Sequence, residues 1–111
     1  MSAVTTTIAA DAPVATLINV FTVQEDRQRQ LVDVLVRATD EVMRNVPGFV
    51  AANIHAGTDG TRVVNYAQWR SADAIHAMLD DPAAQEHMRE AAAIADHFEP
   101  HLYTVESVHH R

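Results

Sequence analysis

The sequence predicts an α+β domain, one antiparallel sheet carrying its helices on a single face. Three observations predict it. Runs dense in β-branched and aromatic residues fall at 14–23, 49–56 and 62–70, separated by stretches whose apolar residues recur every three or four positions. The turn sequence Gly57-Thr58-Asp59-Gly60 joins the second and third runs as a hairpin. A final strand-like run follows the second helical stretch, so the order is strand, helix, strand, strand, helix, strand.

At 111 residues the chain has room for one core, assigned to residues 13–111. Residues 1–12, rich in Thr and Ala, read as a disordered tail that frays from it. The first strand, 14–23, lacks Gly and interior Pro, and much of both its faces is apolar. Leu17, Asn19 and Phe21 share one face, with Ile18 and Val20 on the other. An amide set among large apolar neighbours must find partners or serve a ligand.

Gln24, Glu25 and Asp26 suit a helix start, and Leu31, Leu35, Ala38 and Val42 continue at helical spacing for about 20 residues. Pro47-Gly48 ends that helix. In the second strand Phe49, Ala51, Asn53 and His55 alternate with Val50, Ala52 and Ile54. In the third, Val63, Asn65, Ala67 and Trp69 face one way and Arg62, Val64, Tyr66 and Gln68 the other. Asn65 and the only tryptophan are therefore about 13 Å apart on one face, at about 3.3 Å per residue.

Ser71 caps a short helix bearing Ile75, Met78 and Leu79. Asp81-Pro82 starts another, expected to run to His97 with Ala84, Met88, Ala91 and Ala95 on one stripe. Pro100 is expected to close the helical region, leaving 102–108 as the last strand. Assembled, the elements give the ferredoxin-like plan, with both helical regions on one sheet face. The opposite face, with Ile18, Val20, Val64 and Tyr66, is left apolar and predicts a homodimer packed sheet to sheet.

Composition narrows the partners. A formal net charge of -7 with 8 Lys and Arg argues against nucleic acid and anionic membrane surfaces. No apolar run reaches membrane-spanning length, and the first residues lack the pattern of a signal peptide, so a cytoplasmic location is expected. The absence of cysteine excludes disulfides and thiolate zinc sites, and the histidines show no metal-ligand spacing, so no metal is expected. What remains is a small, weakly charged organic ligand.

Asn19 and Asn65, from strands that are neighbours in this topology, join Trp69 in one apolar chamber beneath the helices. Amides can donate to a carbonyl oxygen on which negative charge develops, and an indole offers a flat wall for an aromatic ring. Leu17, Phe21, His76, Met78 and Met88 are taken as the substrate-binding lining around these three catalytic candidates, and His55 or His87 would help remove a proton if either reached the chamber.

The element order, the Pro47-Gly48-Phe49 junction, the Asn65-x-x-x-Trp69 strand and the Phe98-Glu99-Pro100-His101 link together resemble the antibiotic biosynthesis monooxygenase family. The resemblance covers residues 14–108. It implies a dimeric α/β-barrel protein of the anthrone-oxygenase kind, a cofactor-independent monooxygenase that turns polycyclic aromatic polyketide intermediates into quinones with O2 as co-substrate. It also places that family's two asparagines and tryptophan on Asn19, Asn65 and Trp69. Some relatives carry a tyrosine in the following helix, where this chain has Ile75 and His76.

Two alternatives accompany this reading. Asn19, Trp69 and His76 resemble the triad of haem-degrading proteins of the same fold, which implies haem as a cofactor with His76 as iron ligand. The same chamber also suits a non-catalytic module that stores a hydrophobic metabolite.

Overall fold

The computed structural model describes residues 3–111; of the predicted tail, residues 1 and 2 lie outside the described residues. Four strands form one sheet in the order β2-β3-β1-β4: β1 (Ala15–Thr22), β2 (Phe49–Ala56), β3 (Arg62–Trp69) and β4 (His97–Tyr103), with every pairing antiparallel. The helices are α1 (Gln28–Glu41), flanked by single 3-10 turns, α2 (Ala72–Leu79) and α3 (Pro82–Ile94). This is the ferredoxin-like arrangement, with β2 and β4 at the edges.

Register sets which side chains share a face. Leu17, Asn19 and Phe21 lie opposite Ala67, Asn65 and Val63, so the apolar alternation of the two central strands is in phase on the helix side. Leu31, Val34 and Ala38 of α1 and Ala84, Ala91 and Ile94 of α3 close over that side. Leu31 and Val63 are fully buried and anchor one half of the core. Trp69, Ile75 and Met78 anchor the other half.

Local signals account for the junctions. The Ser71 side chain accepts a hydrogen bond from the Ala74 N–H at 3.1 Å, and Asp81 Oδ1 accepts from Ala83 and Ala84 N–H at 2.9 and 3.1 Å, capping α2 and α3. Gly48 takes φ +91°, a conformation costly for any residue with a Cβ, and Gly60 takes +84° in the hairpin turn.

Two boundaries differ from the sequence reading. A register shift between Phe49 and Ala51 brings Phe49 onto the helix side with Ala52 and Ile54, instead of onto the face of Asn53 and His55. The helix α3 stops at Ile94 and the last strand begins at His97, so Pro100 sits inside β4, where residues 102–108 alone were expected to be extended. β4 is an edge strand, and a proline there need not remove a ladder hydrogen bond.

The outer face of the sheet pairs Ile18 with Tyr66 and Val20 with Val64. Part of it is crossed by the chain before β1: Thr6 Oγ1 donates to Asn53 Oδ1 at 2.7 Å, and Gln68 Nε2 donates to the Thr7 carbonyl at 2.9 Å. Thr16 and Gln68 are buried beneath this crossing. The segment expected to fray is thus tied to the sheet at two points.

Candidate active site

Between sheet and helices lies a cavity of about 290 Å³. Its floor is Leu17, Asn19 and Phe21 of β1 with Asn65, Ala67 and Trp69 of β3; its roof comes from all three helices, including Leu35, Met78 and Met88. Phe98 and Pro100 of β4 close one side. Phe98 and Leu79 are each nearly half exposed, so the chamber opens to solvent beside them. The small side chains Ala38, Ala91 and Ala92 leave the space that larger residues would fill.

Trp69 is fixed by an edge-to-face contact with Phe49, at 5.4 Å between ring centroids and 89° between planes, and is almost wholly buried. Asn19 and Asn65 are direct cross-strand partners. Asn19 Oδ1 accepts a hydrogen bond from the Glu99 N–H of β4 at 3.1 Å, which fixes the amide and leaves its NH2 group free of that bond. Asn65 Oδ1 is buried without a partner. Desolvating an amide oxygen without a hydrogen bond costs about 1–3 kcal/mol, a cost that a ligand donor offsets.

The second unpartnered buried polar atom among the described residues is His87 Nδ1, also in the chamber wall. Nδ1 lies 3.8 Å from Glu90 Oε2 one turn along α3, and the other Glu90 oxygen accepts from Arg37 of α1 at 2.5 Å. A molecule polar at two points would satisfy both of these buried groups in the one apolar cavity.

Of the side chains expected at the site, Leu17, Asn19, Phe21, Asn65, Trp69, Met78 and Met88 all reach the chamber. His76 does not. It is exposed on the outer side of α2, because Ile75 and Met78 define the inward stripe of that short helix. The triad Asn19, Trp69 and His76 is therefore not assembled, and the residues present do not fit the haem arrangement that the sequence reading attached to it. The histidine that enters the wall is His87, and its position was signalled by Ala84-x-x-His87-x-x-x-Ala91, which places it on the buried stripe of α3. Among the described residues no three His, Asp or Glu side chains converge as a metal site.

A ferredoxin-like sheet that closes an apolar chamber over two amides, an indole and an imidazole defines a protein built around a small-molecule site. Comparison with known proteins makes this specific. The sequence profile described as antibiotic biosynthesis monooxygenase matches residues 15–90. The tetracenomycin-F1 monooxygenase of Streptomyces glaucescens is 48% identical over 81 residues, which cover 73% of this chain and 72% of that protein. Among solved structures, a monooxygenase from the ActVA-Orf6 gene of Streptomyces coelicolor, in complex with nanaomycin D, superposes with a TM-score of 0.79. It is 30% identical, over 87% of this chain and 91% of that one. A mutant of SnoaB, described as a cofactor-independent oxygenase from Streptomyces nogalater, gives a TM-score of 0.77 at 26% identity, over 87% and 97% of the two chains. The chain belongs to the antibiotic biosynthesis monooxygenase family. It is a monooxygenase.

Proposed function

We propose that this monooxygenase works without a cofactor, using O2 to oxidise a polycyclic aromatic polyketide intermediate of anthrone or hydroquinone type to a quinone. The observation that carries this reading is the chamber itself. Its walls are largely apolar, and its polar groups include Asn19 and Asn65, paired across β1 and β3, with Trp69 further along the same face of β3. An extended aromatic ring system fits such a space against the indole, and its oxygens meet the amides. The kinship with a tetracenomycin-F1 monooxygenase and with a structure holding nanaomycin D supports the same substrate class.

The chemistry follows from what such a substrate can supply. Loss of a proton leaves an electron pair on the ring system, delocalised onto an oxygen. The Asn19 and Asn65 NH2 groups stabilise that oxygen by donating to it. The anion passes one electron to O2, and the radical pair combines into a carbon–oxygen bond. Protonation then gives a hydroperoxide, and loss of the second C–H proton together with hydroxide from the O–O bond leaves a carbonyl and water. The protein supplies orientation, a dry cavity and hydrogen bonds.

We further propose that residues 13–111 act as one domain and that two copies pair through the sheet face bearing Ile18, Val20, Val64 and Tyr66. A cytoplasmic location goes with this reading. The test of the activity is oxygen uptake with dithranol, a simple anthrone. Asn65→Ala and Trp69→Phe are expected to reduce kcat by one to three orders of magnitude, the scale of a lost oxyanion donor. Unchanged uptake in both variants would overturn the proposal.

A further inference from the structure

We infer that His87 is the group that takes the substrate's proton, with Glu90 as its positioning residue. The inference deepens the reading just given and rests on it for the class of substrate. Four observations converge. Among the described residues His87 is the one histidine in the wall of the chamber, and most of its side chain is buried. Its Nδ1 is buried with no hydrogen-bond partner, an arrangement that in a folded core is unfavourable unless something else uses the ring. A carboxylate stands 3.8 Å from that nitrogen, so a proton gained by the imidazole places its charge beside Glu90. Arg37 of α1 donates to the other Glu90 oxygen, which restrains the carboxylate beside His87.

Among the described residues the rest of the chamber offers no competing base. Its other polar lining groups are the two asparagines, the Trp69 indole and Thr39, whose hydroxyl is donated to the Leu35 carbonyl at 2.8 Å. Amides and an indole can donate hydrogen bonds to an anion but cannot accept its proton near neutral pH. A neutral imidazole can.

The step balances within the chemistry above. The acidic C–H or O–H bond of the substrate breaks, its electron pair stays on the ring system, and the proton forms an N–H bond on His87. After O2 has combined with the carbanion, the imidazolium returns this proton to the peroxide oxygen. The neutral ring is then ready for the second C–H proton, which leaves as hydroxide departs to become water. His87 is regenerated, and O2 is the oxidant already required.

The experiment separates binding, ionisation and oxidation. Under anaerobic conditions dithranol is titrated into the protein while Trp69 fluorescence reports binding and the long-wavelength absorption of the anthrone anion reports ionisation. Wild type is expected to bind and to develop the anion band. His87→Gln, close in size to histidine, is expected to bind within about threefold of wild type, to lose the band, and after O2 is admitted to show kcat lowered on the order of 10²-fold or more with KM little changed. His87→Ala is expected to regain band and turnover on addition of imidazole, which a merely structural residue would not permit. Glu90→Gln is expected to weaken the band without abolishing it. If His87→Gln retains both band and kcat, the assignment is wrong. If wild type forms the band but consumes no O2, the oxygenase reading of the substrate fails while His87 stands. If wild type does not bind dithranol, or binds it without a band, the assignment of His87 fails.

Discussion

Asn19 and Asn65 face each other across the two central strands, yet only one of the two amides is satisfied by the fold: Asn19 Oδ1 receives the Glu99 N–H of β4, and Asn65 Oδ1 receives nothing. The difference separates stability from function at equivalent positions. Asn65→Leu removes an unsatisfied buried group and adds apolar surface, so the protein is expected to become more stable, by about 1 kcal/mol, while dithranol oxidation collapses. Asn19→Leu breaks the bond that ties β4 to β1 and strands the Glu99 N–H, so it is expected to lose about 1 kcal/mol and activity together. Urea unfolding and oxygen uptake on the two variants check the pair. A stability loss in Asn65→Leu as large as that in Asn19→Leu would mean that Asn65 is a structural amide.

Trp69→Phe tests the wall of the chamber. Phenylalanine keeps an aromatic edge for Phe49 but gives up the indole N–H and part of the buried area. The expected stability loss is about 1–2 kcal/mol, with a larger fall in kcat than in KM if the indole contributes a hydrogen bond in the transition state. A rise in KM alone would limit Trp69 to uniform binding. Steady-state kinetics with dithranol on a variant shown folded by its near-ultraviolet spectrum decides between these.

Much of this site was legible in the sequence, for a definite reason. Strand alternation has period two, so Leu17, Asn19 and Phe21, or Asn65, Ala67 and Trp69, could be placed on one face without coordinates, and the hairpin signalled at Gly57–Gly60 fixed β2 against β3. What escaped was information that period two does not carry. The register shift after Phe49 depends on pairing with β3, and it moves an aromatic ring against Trp69. Pro100 looked like a terminator because its tolerance depends on β4 being an edge strand, a property of the sheet rather than of residues 97–103. Among the histidines, the choice of His76 for the lining, with His55 and His87 only conditional on reaching the chamber, lacked the phase of each helix's buried stripe, which turns His87 inward and His76 outward.

Gly48 links the end of the α1 region to β2 at φ +91°, and a Cβ there would collide with Ala74 of α2. Both the left-handed backbone and the contact penalise substitution. Gly48→Ala is expected to cost about 2 kcal/mol or more, since the contact is with a helix and not with a flexible side-chain end. A thermal melt within 1 °C of wild type would show that α2 shifts freely, and then the roof of the chamber is adjustable.

The Asp59 carboxylate accepts from the Thr61 N–H at 2.9 Å and from the Thr61 hydroxyl at 2.8 Å, which holds the turn between β2 and β3. These hydrogen bonds, the backbone one foremost, lower its pKa from the ordinary value of 3.8. A depressed carboxylate contributes stability that is present above its unfolded pKa and is lost as pH falls through the folded value, so the turn is expected to loosen only below about pH 3.8. Carbon-detected NMR titration of Asp59 in the intact chain is expected to give a midpoint below that value; one at or above it would remove the turn from any account of acid stability.

The sheet face opposite the chamber yields the last prediction. Ile18, Val20, Val64 and Tyr66 form two cross-strand pairs there that the chain's own helices do not cover. The β4 strand beside them is exposed along its whole length, with Tyr103 and Leu102 each about half exposed. Burying such a surface at about 25 cal/mol per Å² favours association, and a self-complementary face pairs most simply with a second copy by a two-fold rotation. Sedimentation is expected to show a dimer at micromolar concentration for the wild type. Val64→Asp is expected to give a monomer that still binds dithranol, because its side chain points away from the cavity floor of Asn65 and Trp69. A loss of oxygen uptake in that monomer would show that pairing also steadies the floor, since β3 carries Val64 on one side and both site residues on the other. Full retention would mean that sheet and chamber are energetically independent. A wild-type monomer would leave the chain crossing at Thr6 and Thr7 as the cover that the described residues give this face.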